Sequence, residues 1–274
     1  MANFKCIIPR MGEKDEQKFK MFTEPSMKKI GAQVLQVFDK DLNAPENIFK
    51  KYSAGIEALF QAGLDDNDII IFLHSDVGII DDLFREKIEL LFSDKPDVAI
   101  LGVAGSTEIK SVGGWWMNTP LIIDNDGNKF GATVGHLIQG KGGVNDGGKP
   151  GDGYHLQKGP VGFFDNLVAI DGCMMITRGK FLKEGLKFDI DTFDGNDFYD
   201  LDLCMNVLDL GYKVAIADIL IYHDSVGMGA VSESWKIAKE KFIDKWINKG
   251  YKLPFKADQF KLKDIKSNII EIEI

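Results

Sequence analysis

The chain has 274 residues, 45% of them hydrophobic, with a formal net charge of −9. That is enough to bury the core of one large α/β domain or two small ones. The acidic balance and the lack of a long basic run argue against a nucleic-acid partner. No apolar stretch approaches the ~18 residues a membrane span needs, and the N-terminus lacks a signal peptide's apolar core. Three cysteines, Cys6, Cys173 and Cys204, lie in apolar or amphipathic segments without metal-ligand spacing. They read as buried thiols of a reducing compartment, so a cytoplasmic protein with no transmembrane segment is expected.

Asn3 to Ile8 reads as a short strand that ends at Pro9-Arg10. A polar, lysine-rich helix follows over about Glu13 to Ile30, anchored by Phe19, Phe22 and Met27, and Pro25 predicts a kink or a break in it. Gln33 to Phe38 is the next strand and ends at Asp39. Ile48, Tyr52, Ile56 and Phe60 have helical spacing over Ile48 to Ala62, with Gly63 at the C-cap position. Ile69 to Leu73 is apolar, rich in β-branched residues and too short for a buried helix. It predicts a central strand covered on both faces.

That run stops at His74-Ser75-Asp76. Ligands of open α/β sheets sit at the carboxyl ends of strands, which places Asp76 at the expected crevice. A lone Asp can equally cap the following turn. Asp82 to Phe92 predicts a helix and Asp97 to Val103 a strand. The β-α-β-α-β-α-β alternation implies a mostly parallel sheet flanked by helices.

From Ala104 the character changes. Residues 104–160 hold 14 of the 29 glycines, together with Trp115, Trp116, His136 and His155. So long and aromatic a loop-rich insertion predicts an ordered binding lobe. Short strands are expected at Pro120 to Ile123 and Lys129 to Val134, joined by a turn at DNDG, residues 124–127. Beyond it, Leu167 to Thr177 is an apolar run broken by Asp171-Gly172. Residues 199–210 predict a helix with Leu201, Cys204, Met205 and Leu208 on one face. Asp200 and Asp202 fall in its first turn, where the helix dipole favours an ionised carboxylate. Tyr212 to Tyr222 predicts a strand ending at His223, and Glu233 to Asn248 an amphipathic helix carrying Trp235, Phe242 and Trp246.

The ordered series IIIFLHSDVGI, LVAIDGCMMITRGKF and FDGNDFYDLDLCMNVLDLGYKVAIADILIYHDSVG resembles the GT-A glycosyltransferases of the family-2 type, in the branch with an H-x-D metal motif. The likeness covers roughly residues 3–248. It implies a single GT-A, Rossmann-like domain over residues 1–250 with the insertion at 104–160 on the acceptor side, and a C-terminal extension at 251–274. It also implies a Mn2+ or Mg2+ ion held by Asp76 and His223, and a nucleotide-diphosphate sugar, foremost a UDP-sugar, as donor. Pro9, Arg10, Asp39, His74, Ser75 and Asp76 fall on the donor and cofactor side of this scheme. Asp200 maps to the catalytic base. Trp115, Trp116, Asp171, Gly172 and Asp202 fall on the substrate and acceptor side, although Asp202 also fits a structural role. The acceptor is a hydroxyl of a glycan, protein or small molecule.

The residue types suit that chemistry. A divalent ion neutralises the leaving diphosphate, and an Asp takes the acceptor hydroxyl's proton for an in-line, inverting attack. Trp115 and Trp116 offer flat faces to sugar rings, or else pack a loop core. The sequence departs from the family pattern at His74, at Tyr199 where a Glu usually precedes the base, and in lacking a Q-x-x-R-W element. The last departure argues against a processive synthase. Alternatives are a retaining transferase, a nucleotidyltransferase, and a non-catalytic carbohydrate- or nucleotide-binding protein. MGEKDEQK after Arg10 contains one Gly, which disfavours the phosphate loop of a nucleotidyltransferase. Glycine-dense Ser225 to Gly229 and part of 104–160 are expected to close over the donor.

Overall fold

The computed structural model describes residues 2–10, 12–38, 47–123, 129–140, 153–225, 232–263 and 265. Ile69–Leu73 forms the expected central strand, with all five residues buried. It belongs to a seven-stranded sheet in the spatial order Phe164–Leu167, Lys213–Ile216, Val98–Gly102, Met174–Arg178, Ile69–Leu73, Phe4–Arg10, Gln33–Phe38. Phe4–Arg10 pairs in parallel with both Gln33–Phe38 and Ile69–Leu73, and Lys213–Ile216 pairs in parallel with Val98–Gly102. Met174–Arg178 runs antiparallel to both of its neighbours, and edge strand Phe164–Leu167 is antiparallel to Lys213–Ile216, so the sheet is mixed. The reason for the direction of Met174–Arg178 lies in the route of the chain. It leaves Val98–Gly102 at the carboxyl edge, builds a second sheet there, and re-enters from that same edge, so the returning strand points the opposite way.

The second sheet has the order Ala169–Ile170, Ala104–Ser106, Thr133–Gly140, Ile221–His223, Val77–Ile79, and Gly153–Gln157 adds to Thr133–Gly140. The described part of the glycine-rich insertion is therefore woven into the body. Two runs expected as single strands are divided between the sheets. Lys213–Ile216 stays in the first sheet while Ile221–His223 enters the second, and Ala169–Ile170 is parted in the same way from Met174–Arg178. The small strands Ile122–Ile123 and Lys129–Phe130 pair antiparallel, and the DNDG turn between them lies outside the described residues.

Helix Ile48–Gln61 packs on Phe4–Arg10 and Gln33–Phe38, and Tyr199–Asp209 packs on Lys213–Ile216 and Ala169–Ile170. The proline at 25 marks the expected break, since the run divides into Glu13–Lys18, Phe19–Thr23 and Glu24–Ile30. It occupies the first turn of Glu24–Ile30, where its missing N–H is harmless, behind a π-helical turn at Phe19–Thr23. Residues 251–263 fold back onto the body. Phe255–Lys256 pairs with Glu108–Ile109, Phe255 and Phe260 are buried, and the Lys263 N–H donates to the Gly211 carbonyl at 2.7 Å. Among the described residues no helix is long and apolar enough to cross a membrane.

Helix and sheet approach closely at Gly55, where an added Cβ would lie 2.4 Å from Ile7 Cγ2. Ile7 is a fully buried residue of a strand hydrogen-bonded on both sides and has no room to retreat. Ala is intrinsically the better helix former by about 0.5–1 kcal/mol, but overpacking costs about 1–3 kcal/mol. Gly55→Ala is therefore expected to lower the urea midpoint. An unchanged or raised midpoint contradicts this packing.

Candidate active site

The turn His74-Ser75-Asp76 links the two sheets, between Ile69–Leu73 in the first and Val77–Ile79 in the second. Val77–Ile79 pairs antiparallel with Ile221–His223, with His223 opposite Val77, and the Asp224 N–H donates to the Asp76 carbonyl at 2.9 Å. This ladder brings His223 to Asp76, with Nε2 3.5 Å from the carboxylate. Ligand atoms of His74, Asp76 and His223 all lie within 4.8 Å of one another. Two imidazole nitrogens and a carboxylate oxygen converging at the end of a buried strand form a donor set that fits a divalent cation. His74 extends the set expected from the sequence by one ligand.

The charges of the three side chains depend on one another. Burial opposes ionisation of Asp76, yet the hydrogen bond and charge of His223, with His74 and Lys18 beyond, hold its carboxyl well below the usual range. Burial also works against a charged His223, but Asp76 overrides it and raises that imidazole. Burial lowers His74. The His74 Nε2 lies 2.6 Å from the Tyr199 hydroxyl. With Nε2–H donating there, Nδ1 presents the lone pair a cation needs, and Tyr199 is the outer partner that fixes the ring.

Tyr199 also explains the glycine of Asp171-Gly172, because a Cβ at 172 would lie 2.2 Å from its hydroxyl. The same turn positions Asp200. The Gly172 N–H donates to Asp200 Oδ2 at 3.1 Å and the Leu201 N–H to Oδ1 at 2.9 Å. Burial, reinforced by the Asp171 carboxylate, pushes Asp200 up to about 7 against the pull of those N–H groups. The full ionisation at neutral pH expected from the helix dipole is thereby corrected: desolvation outweighs the helix terminus.

Two compartments flank the His-Asp-His group. One, of about 600 Å³, is lined by Pro9, Lys18, Lys51, Ser75 and Asn196 among others. Lys18 Nζ lies 3.3 Å from Asp76 Oδ2 and 3.4 Å from Asp224 Oδ2. Ser75 hydrogen-bonds Asp15. The other compartment, of about 390 Å³, holds Trp115, Trp116, Asp171, Gly172 and Asp200. Trp115 is almost wholly buried, whereas Trp116 is half-buried.

Two expected site residues sit elsewhere. Arg10 is buried on Asp15, Glu16 and Gln36 with its guanidinium over the Phe19 ring, and does not line either compartment. Asp202 turns away from the acceptor side, because its carboxylate is held by Lys245 at 2.7 Å and by the Trp246 indole at 3.0 Å. Asp39 lies outside the described residues, as does the segment Ser225 to Gly229 apart from Ser225. Sequence reasoning missed Lys18, Lys51, Asn196, Phe198 and Trp235. The loop just before the Asp200 helix was the available signal for Asn196 and Phe198.

The raised Asp200 carboxyl has a consequence for stability. Its folded value, about 7, exceeds the ordinary 3.8, so the folded state binds more protons between those values. Stability from this site is therefore present at low pH and lost as pH rises through about 7. Urea titration in chelator at about pH 5 and about pH 8 should show Asp200→Asn gaining roughly 2–4 kcal/mol on the parent over that window. A constant difference between the two proteins contradicts the assignment.

None of the curated proteins matches the sequence. Among solved structures, the chain is similar to A197 from STIV, at 14% identity over 81% of this chain and 85% of that one, with a TM-score of 0.40. It is similar to GalNAc-T7 with UDP, GalNAc and Mn2+, at 11% identity over 81% of this chain and 44% of that one, TM-score 0.42. A third is the mannosyltransferase PcManGT from Pyrobaculum calidifontis in complex with GDP-Man and Mn2+, at 8% identity over 90% of this chain and 64% of that one, TM-score 0.45. The chain thus spans less than two thirds of the length of the last two. A glycosyltransferase-like family matches residues 49–252, well over half of the sequence and including the whole His-Asp-His group and Asp200. The chain belongs to the glycosyltransferase-like family.

Proposed function

We propose that the protein is a metal-dependent, inverting glycosyltransferase that moves a sugar from a nucleotide-diphosphate sugar, foremost a UDP-sugar, to a hydroxyl acceptor. The observation that carries this reading is the His74-Asp76-His223 group lying between two compartments, with Asp200 lining only one of them. Asp76, His74 through Nδ1, and His223 would hold the cation. Two imidazole ligands favour Mn2+ over Mg2+, which prefers an all-oxygen shell. When bound, the ion supplies positive charge for the departing diphosphate.

The chain's own residues supply the rest. Lys18 and Lys51 face the larger compartment and offer further positive charge to phosphate oxygens. On the other side, Asp200 accepts the acceptor hydroxyl's proton at a carboxylate oxygen. A carboxyl near 7 suits a general base at neutral pH, since it is available in the ionised form and binds the proton well. Two separate sides for donor and base favour attack opposite the leaving group, hence inversion.

Calorimetric titration of UDP and GDP, with Mn2+ or with chelator, tests the donor side. Binding is expected with Mn2+, and is expected to be lost in chelator and in Asp76→Ala. Equal affinity in Asp76→Ala and the parent sinks the metal role. Asp200→Asn should keep nucleotide affinity within a few-fold while turnover, or donor hydrolysis, falls by roughly 10²–10⁴. Undiminished turnover in a folded Asp200→Asn protein removes Asp200 from the mechanism.

A further inference from the structure

The compartment in front of Asp200 has an aromatic wall and a lining richer in carboxylates than in lysine or arginine. Trp116 packs against Trp235 with ring centroids 6.4 Å apart, and Trp235 lies 5.2 Å from Phe198. Phe198 has a φ of 67°, a left-handed conformation that a bulky residue keeps only when its surroundings over-determine it. Trp235 contributes one side of those surroundings and Phe242, also at 5.2 Å, another. The wall is thus packed next to the helix that carries Asp200. Asp171, Asp197 and Asp200 add carboxylates to the lining, and Lys158 is the single lysine or arginine among the described lining residues. Asp197 is half-buried, with Ser234 Oγ 3.3 Å from Oδ2.

Aromatic faces cover the C–H faces of a sugar ring, and carboxylates accept hydrogen bonds from its hydroxyls. An anionic acceptor would instead bring like charge against three acids in a confined space, which specificity by repulsion exploits. We infer that this compartment selects an uncharged saccharide as acceptor, laid against Trp116, which the buried Trp235 backs, with hydroxyls on Asp197, and rejects phosphorylated or carboxylated glycans. The inference rests on the transferase reading above and names the acceptor class for the same site.

Tryptophan fluorescence titration of the full chain with matched probes tests it. The pairs are methyl glucoside and methyl glucuronide, N-acetylglucosamine and its phosphate ester, and lactose and sialyllactose. Titrations run with and without UDP or GDP plus Mn2+. Each neutral member should bind about tenfold or more tightly than its anionic partner. Trp116→Ala should lose about tenfold in neutral-sugar affinity and leave nucleotide affinity unaltered. Asp197→Asn, which keeps the shape, should narrow the gap within each pair. Anionic members binding as tightly as neutral ones overturn the inference, and so does a protein that binds nucleotide and Mn2+ but none of the neutral probes. Failure of nucleotide binding counts against the transferase reading, while the preference between paired probes stays measurable without nucleotide.

Discussion

The site exists because one short antiparallel ladder, Val77–Ile79 against Ile221–His223, closes over the carboxyl edge of the main sheet. Backbone hydrogen bonds are obligatory for buried strands, so the ladder's register is tightly specified. That register puts Asp76 and His223 side by side and lets the Asp224 N–H donate to the Asp76 carbonyl. His74 belongs to the same turn as Asp76. Lys18 reaches in from the N-terminal helix to both Asp76 and Asp224, tying a third element to the junction. A slip of one residue would turn His223 to the opposite face of the sheet and dissolve the group.

Around this junction the protein tolerates local costs that the core offsets. Asp200 is a half-buried, desolvated carboxyl near a second one, Asp171, and Phe198 holds a left-handed backbone just before it. Both features are unfavourable in isolation. They persist because the strands beneath, Ile69–Leu73 and Met174–Arg178, are buried along nearly their whole length. Such costs gather where a side chain must be aimed and its pKa tuned.

Much of this was legible from the residues, for stated reasons. Ile69 to Leu73 was readable as a central strand because a short β-branched run has few other solutions. Asp76, His223 and Asp200 were reached through the order of motifs, and the structure places them around one cleft. Less legible were features decided by tertiary contact. Arg10, at the end of a strand, reads as a cleft residue, but Asp15 and Glu16 of the helix that follows capture it. Asp202 repeats the pattern of Asp200, yet two residues along a helix rotate a side chain by about 200°, and so Asp202 meets Lys245 and Trp246 instead. Tyr199 looked like a departure from the family pattern, and only its 2.6 Å approach to His74 shows what it does. The division of the apolar runs between two sheets could not be read, because both sheets bury such runs equally well.

The central claim is that His74, Asp76 and His223 together hold one divalent cation. Pulsed electron paramagnetic resonance of the protein loaded with Mn2+ tests it directly, because imidazole nitrogens bound to the ion produce hyperfine couplings. The account predicts two coupled imidazole nitrogens in the parent, one in His223→Ala, and a different one remaining in His74→Ala. A tightly bound ion with no nitrogen coupling, or with couplings unaltered by either substitution, would contradict it.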